Sequence, residues 1–176
     1  MSLAFSRQKG LVPWIFATMV VAVSSTVASA GTLPQPDGRV VLTVTGSITN
    51  TNDGGAAEFD MAMLESLPTI AVETTTPWTE GVTKFEGVLV RDVLAQAGAN
   101  GVLVNAVALN DYRFEIPVSD FNKYPVILAY KTDNKQLRIR DKGPLWIVYP
   151  LDGYEELRNE QTHSKMVWQL RRLVIQ

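Results

Sequence analysis

Short runs of β-branched and apolar residues, broken at irregular intervals by two helical patterns, limit what this chain can fold into more than any other feature. Across residues 39–48, Val40, Leu42 and Val44 alternate with Val41, Thr43 and Thr45, the period of two that a half-buried strand requires. Strand-like runs follow at 69–76, 102–109, 114–116, 126–130, 137–139, 145–149 and 166–175. Turn residues separate them at 50–55, 110–111, 133–134 and 143–144. Residues 59–67 predict a short helix with Asp60 as N-cap, Phe59 and Leu64 at staple spacing and Pro68 as its stop. Residues 90–97 predict another, with apolar side chains at Val90, Val93, Leu94 and Ala97 and Gly98 as the C-terminal stop. Because these helices do not alternate regularly with the strands, a doubly wound parallel sheet is disfavoured. The expected fold is α+β, a mostly β mixed sheet with short helices.

Composition narrows the chemistry. The chain has 176 residues, no Cys and one His, which rules out a disulfide, a Cys nucleophile, a Cys-ligated metal or a two-His metal site. With 46% hydrophobic and 19% charged residues the chain is globular rather than disordered. Its formal charge of −2 provides no basic surface for a phosphate backbone, so nucleic acid is not an expected partner.

Residues 1–30 have the organisation of a secretory signal. Arg7 and Lys9 form the positive region, 11–23 the apolar stretch, and Ala28-Ser29-Ala30 before Gly31 the small-residue cleavage site. The apolar stretch falls short of the about 20 residues a spanning helix needs. Removing two basic and no acidic groups takes the formal charge from −2 to −4. The expectation is one domain over 31–176, exported to a bacterial periplasm and not membrane-spanning after processing. No repeat and no linker long enough to divide that region is visible.

Catalytic templates fail: Ser66, Ser119 and Ser164 lie in no Gly-x-Ser-x-Gly elbow, and no phosphate-cradling glycine pattern occurs. His163, between Thr162 and Ser164, is expected to be a solvated surface residue, and Asp152, Glu155, Glu156 and Glu160 a solvated acidic face that matches no calcium loop. What stands out is a set of aromatic residues near strand ends: Trp78, Tyr112, Trp146, Tyr149, Tyr154 and Trp168. Each is as much at home in a core as against a ligand. Their neighbours are polar: Thr76 and Thr79 flank Trp78, Asn110 and Asp111 precede Tyr112, and Arg138, Arg140 and Lys142 precede Trp146. Such a combination suits a flat heterocycle with several donors and acceptors.

The succession Thr-Pro-Trp-Thr at 76–79, Phe-Glu-Gly-Val-Leu-Val-Arg-Asp-Val-Leu-Ala-Gln-Ala-Gly at 85–98, Asn-Asp-Tyr at 110–112, Gly-Pro-Leu-Trp-Ile-Val-Tyr-Pro at 143–150 and Val-Trp-Gln-Leu at 167–170 resembles the molybdopterin-binding domain of the sulfite oxidase family. The resemblance implies that domain's α+β fold. Family enzymes hold molybdenum through a Cys thiolate, which would fall at 74–76, where this chain has only Thr. They grip the cofactor's phosphate-bearing tail with Arg and Lys near 143–146 and 164–168, where Trp146 and Val167 stand here. Small Cys-less members of the family resemble periplasmic pterin-binding proteins that report to the periplasmic domain of an inner-membrane cyclic-diguanylate enzyme.

On this basis the expected function is binding of an unconjugated pterin, with no molybdenum, no metal site and no enzymatic activity. The expected ligand-binding residues are Thr76, Trp78, Asn110, Asp111, Tyr112, Arg140, Lys142, Trp146, Ser164 and Trp168. The ring would stack on Trp78 or Trp168, Asp111 would accept from its 2-amino and N3–H edge, and Thr76 or Arg140 would donate to O4 and N5. Residues 151–163 would form the loop that a partner recognises. A molybdopterin-dependent oxidoreductase with oxygen ligands in place of Cys, and an interaction protein whose pocket has filled with core aromatics, are the alternatives.

Overall fold

The computed structural model describes residue 1 and residues 33–176; apart from its first residue, the signal assigned to 1–30 lies outside the described residues. Ten strands and four short α-helices are described: β1 Val40–Gly46, β2 Ala57–Asp60, α1 Met61–Glu65, β3 Thr69–Thr74, β4 Thr83–Leu89, α2 Val90–Gln96, β5 Leu103–Ala108, β6 Arg113–Pro117, α3 Val118–Lys123, β7 Ile127–Thr132, β8 Lys135–Gln136, β9 Trp146–Val148, α4 Glu160–Lys165 and β10 Leu170–Ile175. The α+β, mostly β class is what the strand pattern predicts.

The strands form two sheets. The first has the order β2-β1-β10-β5-β6, with β1 and β10 parallel and the other pairs antiparallel, so it is mixed. The second has the order β3-β4-β7-β8, and β9 also pairs with β7. Alternation decides which side chains enter the core: Leu42 and Val44 of β1 are fully buried, while Val41 and Thr43 are half-buried on the other face. In β7, Ile127, Leu128, Ala129 and Tyr130 are all buried, the continuous apolar run of a strand covered on both faces. Asp60 caps α1 through Met63 N–H at 2.8 Å and also accepts from Gly38 N–H at 2.7 Å. In α2, Val90, Val93 and Leu94 turn inward, and Gly98 at φ 60° ends it.

Three expectations need correction. Residues 137–139 are not a strand. After the two residues of β8 the chain turns into a 3-10 turn at Ile139–Asp141, held by an Arg138 Nε to Asp141 Oδ2 contact of 2.7 Å and reversed at Lys142, φ 71°. The run at 166–175 becomes strand only at Leu170, because Gln169 at φ 49° breaks it. Residues 151–163 are not simple loop: they hold 3-10 turns at Leu151–Gly153 and Glu155–Leu157 and the start of α4, with Leu151, Leu157 and Thr162 buried. Neither α3 nor α4 shows the apolar periodicity that reveals an amphipathic helix.

The segment 145–170 stitches the sheets together. Trp146 of β9 bridges Trp168, Ile147 N–H donates to Val167 O at 3.0 Å, and Leu170 N–H donates to Leu145 O at 2.9 Å. A second tie holds the end of β3. Asp152 accepts from Thr75 N–H at 2.6 Å and from Thr75 Oγ1 at 2.8 Å, while Asp152 N–H donates to Thr74 Oγ1 at 3.1 Å.

Two stability predictions follow from these packings. A Cβ on Gly87 would stand 2.0 Å from Leu128 O and 2.6 Å from its carbonyl carbon, backbone that cannot move without parting β4 from β7. Gly87→Ala is expected to cost at least the about 1–3 kcal/mol typical of overpacking, measured by denaturant unfolding. The two Thr75 bonds, and after them Arg158, hold the Asp152 carboxyl below its ordinary 3.8. A lowered native value means that this stabilisation is present above 3.8 and is lost as the pH falls through the native value. Asp152→Asn is expected to lower stability at neutral pH and to reduce the further loss on acidification below about pH 4, which urea titrations at both pH values would read.

Candidate functional site

Three tryptophans converge where the sheets meet. Trp146 is buried at 1% exposure and its indole N–H donates to Met166 O at 3.0 Å. Around it, Trp78 lies edge-to-face at 6.0 Å and 61°, Trp168 at 6.3 Å and 89°, and Phe85 at 5.3 Å and 86° between ring centroids. Trp78 and Trp168 meet each other at 4.9 Å and 75°. Their quadrupoles favour this edge-to-face arrangement. With their planes nearly perpendicular, the two rings cannot sandwich a ligand; a flat ligand can stack on one and meet the edge of the other.

Trp78 and Trp168 form one wall of a cavity of about 280 Å³, whose other walls are Ala108, Asn110, Tyr112, Glu160, His163, Ser164, Met166 and Val167. It stands just below the about 300–1,000 Å³ of pockets for drug-sized ligands, a size for a small fused ring. The β5–β6 turn supplies one side. There Asn110 Oδ1 accepts from Tyr112 N–H at 3.1 Å, which leaves the Asn110 amide N–H groups free to donate. Tyr112 reaches across to α4, its hydroxyl donating to Ser164 O at 3.1 Å. Helix α4 supplies the opposite side: Asn159 caps it through Thr162 N–H at 2.9 Å, and Glu160, His163 and Ser164 occupy one face at i, i+3 and i+4. His163 stands 6.1 Å from Trp78 between ring centroids.

The foot of α4 is pinned by a part-buried polar group. Lys165 Nζ lies 2.7 Å from Asp120 Oδ2, and Tyr149 OH donates to the same oxygen at 2.9 Å. Burial, with the Asp120 charge beside it, pushes the Tyr149 phenol far above its ordinary value, so it remains a donor at any physiological pH. The cavity wall is thereby tied to α3.

Of the ten residues expected from the sequence, Trp78, Asn110, Tyr112, Ser164 and Trp168 line this cavity together. Thr76 lies just behind it, 8% exposed, its Oγ1 accepting from Trp78 N–H at 3.2 Å and bonded to Thr79 Oγ1 at 2.8 Å. Trp146 is a supporting core residue rather than part of the wall. Three residues stand elsewhere. Asp111, at φ 64° in the turn, points out of the cavity and pairs with Arg171. Arg140 is exposed on the 3-10 turn, 3.8 Å from Asp141. Lys142 covers the Trp146 ring at 5.6 Å from its centroid.

Glu160 is exposed as expected, but it and the half-buried His163 also line the cavity, which the sequence reading did not assign to them. The signal for them was Asn159 as an N-cap followed by Glu160, His163, Ser164 and Val167 at helical spacing, in a segment too polar to show as a helix. No Lys or Arg lines the cavity. Among the described residues no group of three His, Asp or Glu side chains is placed to hold a metal ion, and no helix is long and apolar enough to cross a membrane.

The family model described as the oxidoreductase molybdopterin binding domain matches residues 42–154, more than half of the chain. No curated protein sequence is similar to it. Among solved structures, the sulfane dehydrogenase SoxCD from Paracoccus pantotrophus is similar in fold, with a TM-score of 0.57 and 19% identity over 76% of this chain. The chain spans 37% of the length of that protein. The family match overturns the expectation of a chain without enzymatic character: the matching family is described as an oxidoreductase domain. The chain belongs to the oxidoreductase molybdopterin binding domain family.

Proposed function

We propose that the cavity beside Trp78 and Trp168 binds the pterin ring of a molybdopterin-type compound, in an exported domain formed by residues 31–176. The observation that carries this reading is the cavity's make-up: two indole rings, one carboxylate, one amide, one imidazole and one phenol, with no cation. The ring stacks on Trp168 or Trp78. Its 2-amino and N3–H edge donates to Glu160, the carboxylate that takes the place first expected of Asp111. The Asn110 amide and His163 donate to O4 and N5. A ring lacking that edge would leave these groups unpaired, which gives selectivity.

The parts of the family's cofactor fit unequally. A pterin ring matches the donors and acceptors present. The phosphate-bearing tail meets no Lys or Arg in the cavity. Thr74, Thr75 and Thr76 stand where a thiolate ligand would, and their hydroxyls are engaged with Asp152, Trp78 N–H and Thr79, so the chain's own residues there do not fit a metal ligand.

Two outputs of binding rest on different observations. Family membership supports molybdopterin-dependent oxidoreductase chemistry. Regulation of a periplasmic domain of an inner-membrane cyclic-diguanylate enzyme is supported by the reach of residues 151–163. That segment holds Thr74 and Thr75 through Asp152 at one end and presents Glu160 and His163 to the cavity at the other. A ligand that binds one arrangement of this segment more tightly shifts its population by that difference in affinity.

The deciding experiment releases small molecules by denaturing the exported protein, identifies them by mass spectrometry and fluorescence, and quantifies molybdenum on the same sample. A pterin at about one per chain is expected. Molybdenum with it supports the oxidoreductase output, and pterin alone supports the regulatory one. A protein that is empty and also ignores added pterins overturns the reading. Trp168→Ala and Trp78→Ala are each expected to weaken pterin binding by the about 1–3 kcal/mol of a lost stacking face, read by calorimetry on samples that circular dichroism shows to be folded. Glu160→Gln, which removes a charged acceptor, is expected to cost about 1.5–3 kcal/mol of affinity by calorimetry.

A further inference from the structure

The largest cavity described is a different one. It is a groove of about 370 Å³ on the outer face of the first sheet, between β1, β10 and the 137–144 segment. Arg39, Arg138, Arg171 and Arg172 line it, over Val41, Leu109, Leu137, Ile139 and Pro144, and no acidic residue does. Four guanidinium groups sharing one groove is unusual in a chain whose formal charge is negative.

The backbone explains the gathering. Thr43 and Arg172 are register partners across the parallel β1–β10 pair, on the face opposite Leu42 and Val44. Between Leu170 and Arg172 the pairing of β10 with β5 slips by one residue, so Arg171 is the extra residue of a β-bulge. Bulges re-aim side chains, and this one brings Arg171 to the groove beside Arg172. Like charges gathered in this way repel one another unless an anion compensates them.

Two of the four charges are already answered. Arg138 pairs with Asp141 at 2.7 Å and Arg171 pairs with Asp111. Arg39 and Arg172 have no carboxylate partner among the described residues. Arg171 Nε is buried and has no hydrogen-bond partner. An uncompensated charge of two, an orphaned guanidinium donor and an apolar floor together describe a dianion attached to an apolar body. Guanidinium groups match phosphate oxygens two by two, and a phosphate monoester carries close to two charges in a single group near neutral pH. A monocarboxylate answers only half of the charge.

We propose that this groove is a second binding site, for a small organic phosphate monoester, with Arg39, Arg171 and Arg172 holding the phosphate and the Val41, Leu137 and Ile139 floor holding the body. The site is independent of the pterin cavity, which shares none of its lining residues.

The test is titration calorimetry of the full exported chain with phenyl phosphate, inorganic phosphate and benzoate as probes. Phenyl phosphate is expected to bind saturably and at least tenfold more tightly than benzoate or inorganic phosphate. Its affinity is expected to fall as the pH drops below about 6, where the monoester loses its second charge. Arg39→Gln and Arg172→Gln, both at exposed positions, are each expected to weaken it at least tenfold, whereas Arg91→Gln on α2 leaves it unchanged. Absence of saturable binding, or equal loss in all three variants, overturns the site. Benzoate binding as tightly as phenyl phosphate overturns the phosphate assignment, and inorganic phosphate binding as tightly overturns the apolar body. Pterin content measured on the same Arg39→Gln and Arg172→Gln samples keeps a failure here distinct from a failure of the pterin reading.

Discussion

The contact between Trp146 and Trp168 is the constraint on which the rest of this structure depends. Trp146 belongs to the second sheet and Trp168 to the segment that enters the first, and the backbone bridge between them joins the two. The indole N–H of Trp146 is spent on Met166 O, so the largest of the fully buried side chains leaves no donor unpaired. Trp78 completes the cluster by packing edge-to-face with both. Trp78 and Trp168 pack against the core and also line the cavity, whereas Trp146 is buried. Joining the sheets and making a stacking surface are therefore the work of the same three residues.

Charge is sorted around this junction. The cavity has a carboxylate and no cation, while the groove across the first sheet has four guanidinium groups and no carboxylate in its lining. The sorting runs through one turn and one β-bulge. The Asn110–Asp111 turn sends Asn110 to the cavity and Asp111 to Arg171, and the bulge at Arg171 places that arginine at the groove. Leu109 lines the groove while its neighbours Ala108 and Asn110 line the cavity, so the two sites lie back to back across one strand end.

Much of the fold was legible because it rests on local rules. The alternation in 40–46, the Asp60 cap and the Gly98 stop each follow from the chemistry of a few neighbouring residues, and each stands where that chemistry puts it. About half of the expected site was legible for a similar reason. Trp78, Asn110, Tyr112 and Trp168 stand at strand ends, and strand ends in a mixed sheet meet at its edges. Other expectations failed where a single backbone reversal decided the outcome. Asp111 at φ 64°, Lys142 at φ 71° and Gln169 at φ 49° each turn the chain away from the path its side chains predict. Asp111 sits in an Asn-Asp pair that announces a turn but not which way its side chain leaves it, whereas Lys142 and Gln169 are residue types that no local pattern marks for a left-handed conformation.

By itself the sequence determined a Cys-free, mostly β chain with its aromatic residues near strand ends, since composition and alternation depend only on which residues follow one another. Tertiary structure alone decided which of those aromatics are core and which are wall. It buried Trp146, opened Trp78 and Trp168 to a cavity, and brought Glu160 and His163 to face them from a helix too polar and too short to be seen. The physical reason is that burial is a property of the assembled sheets. A six-residue helix needs more than its local Asn159 cap, and the Lys165–Asp120 anchor beneath it joins residues 45 positions apart in the chain.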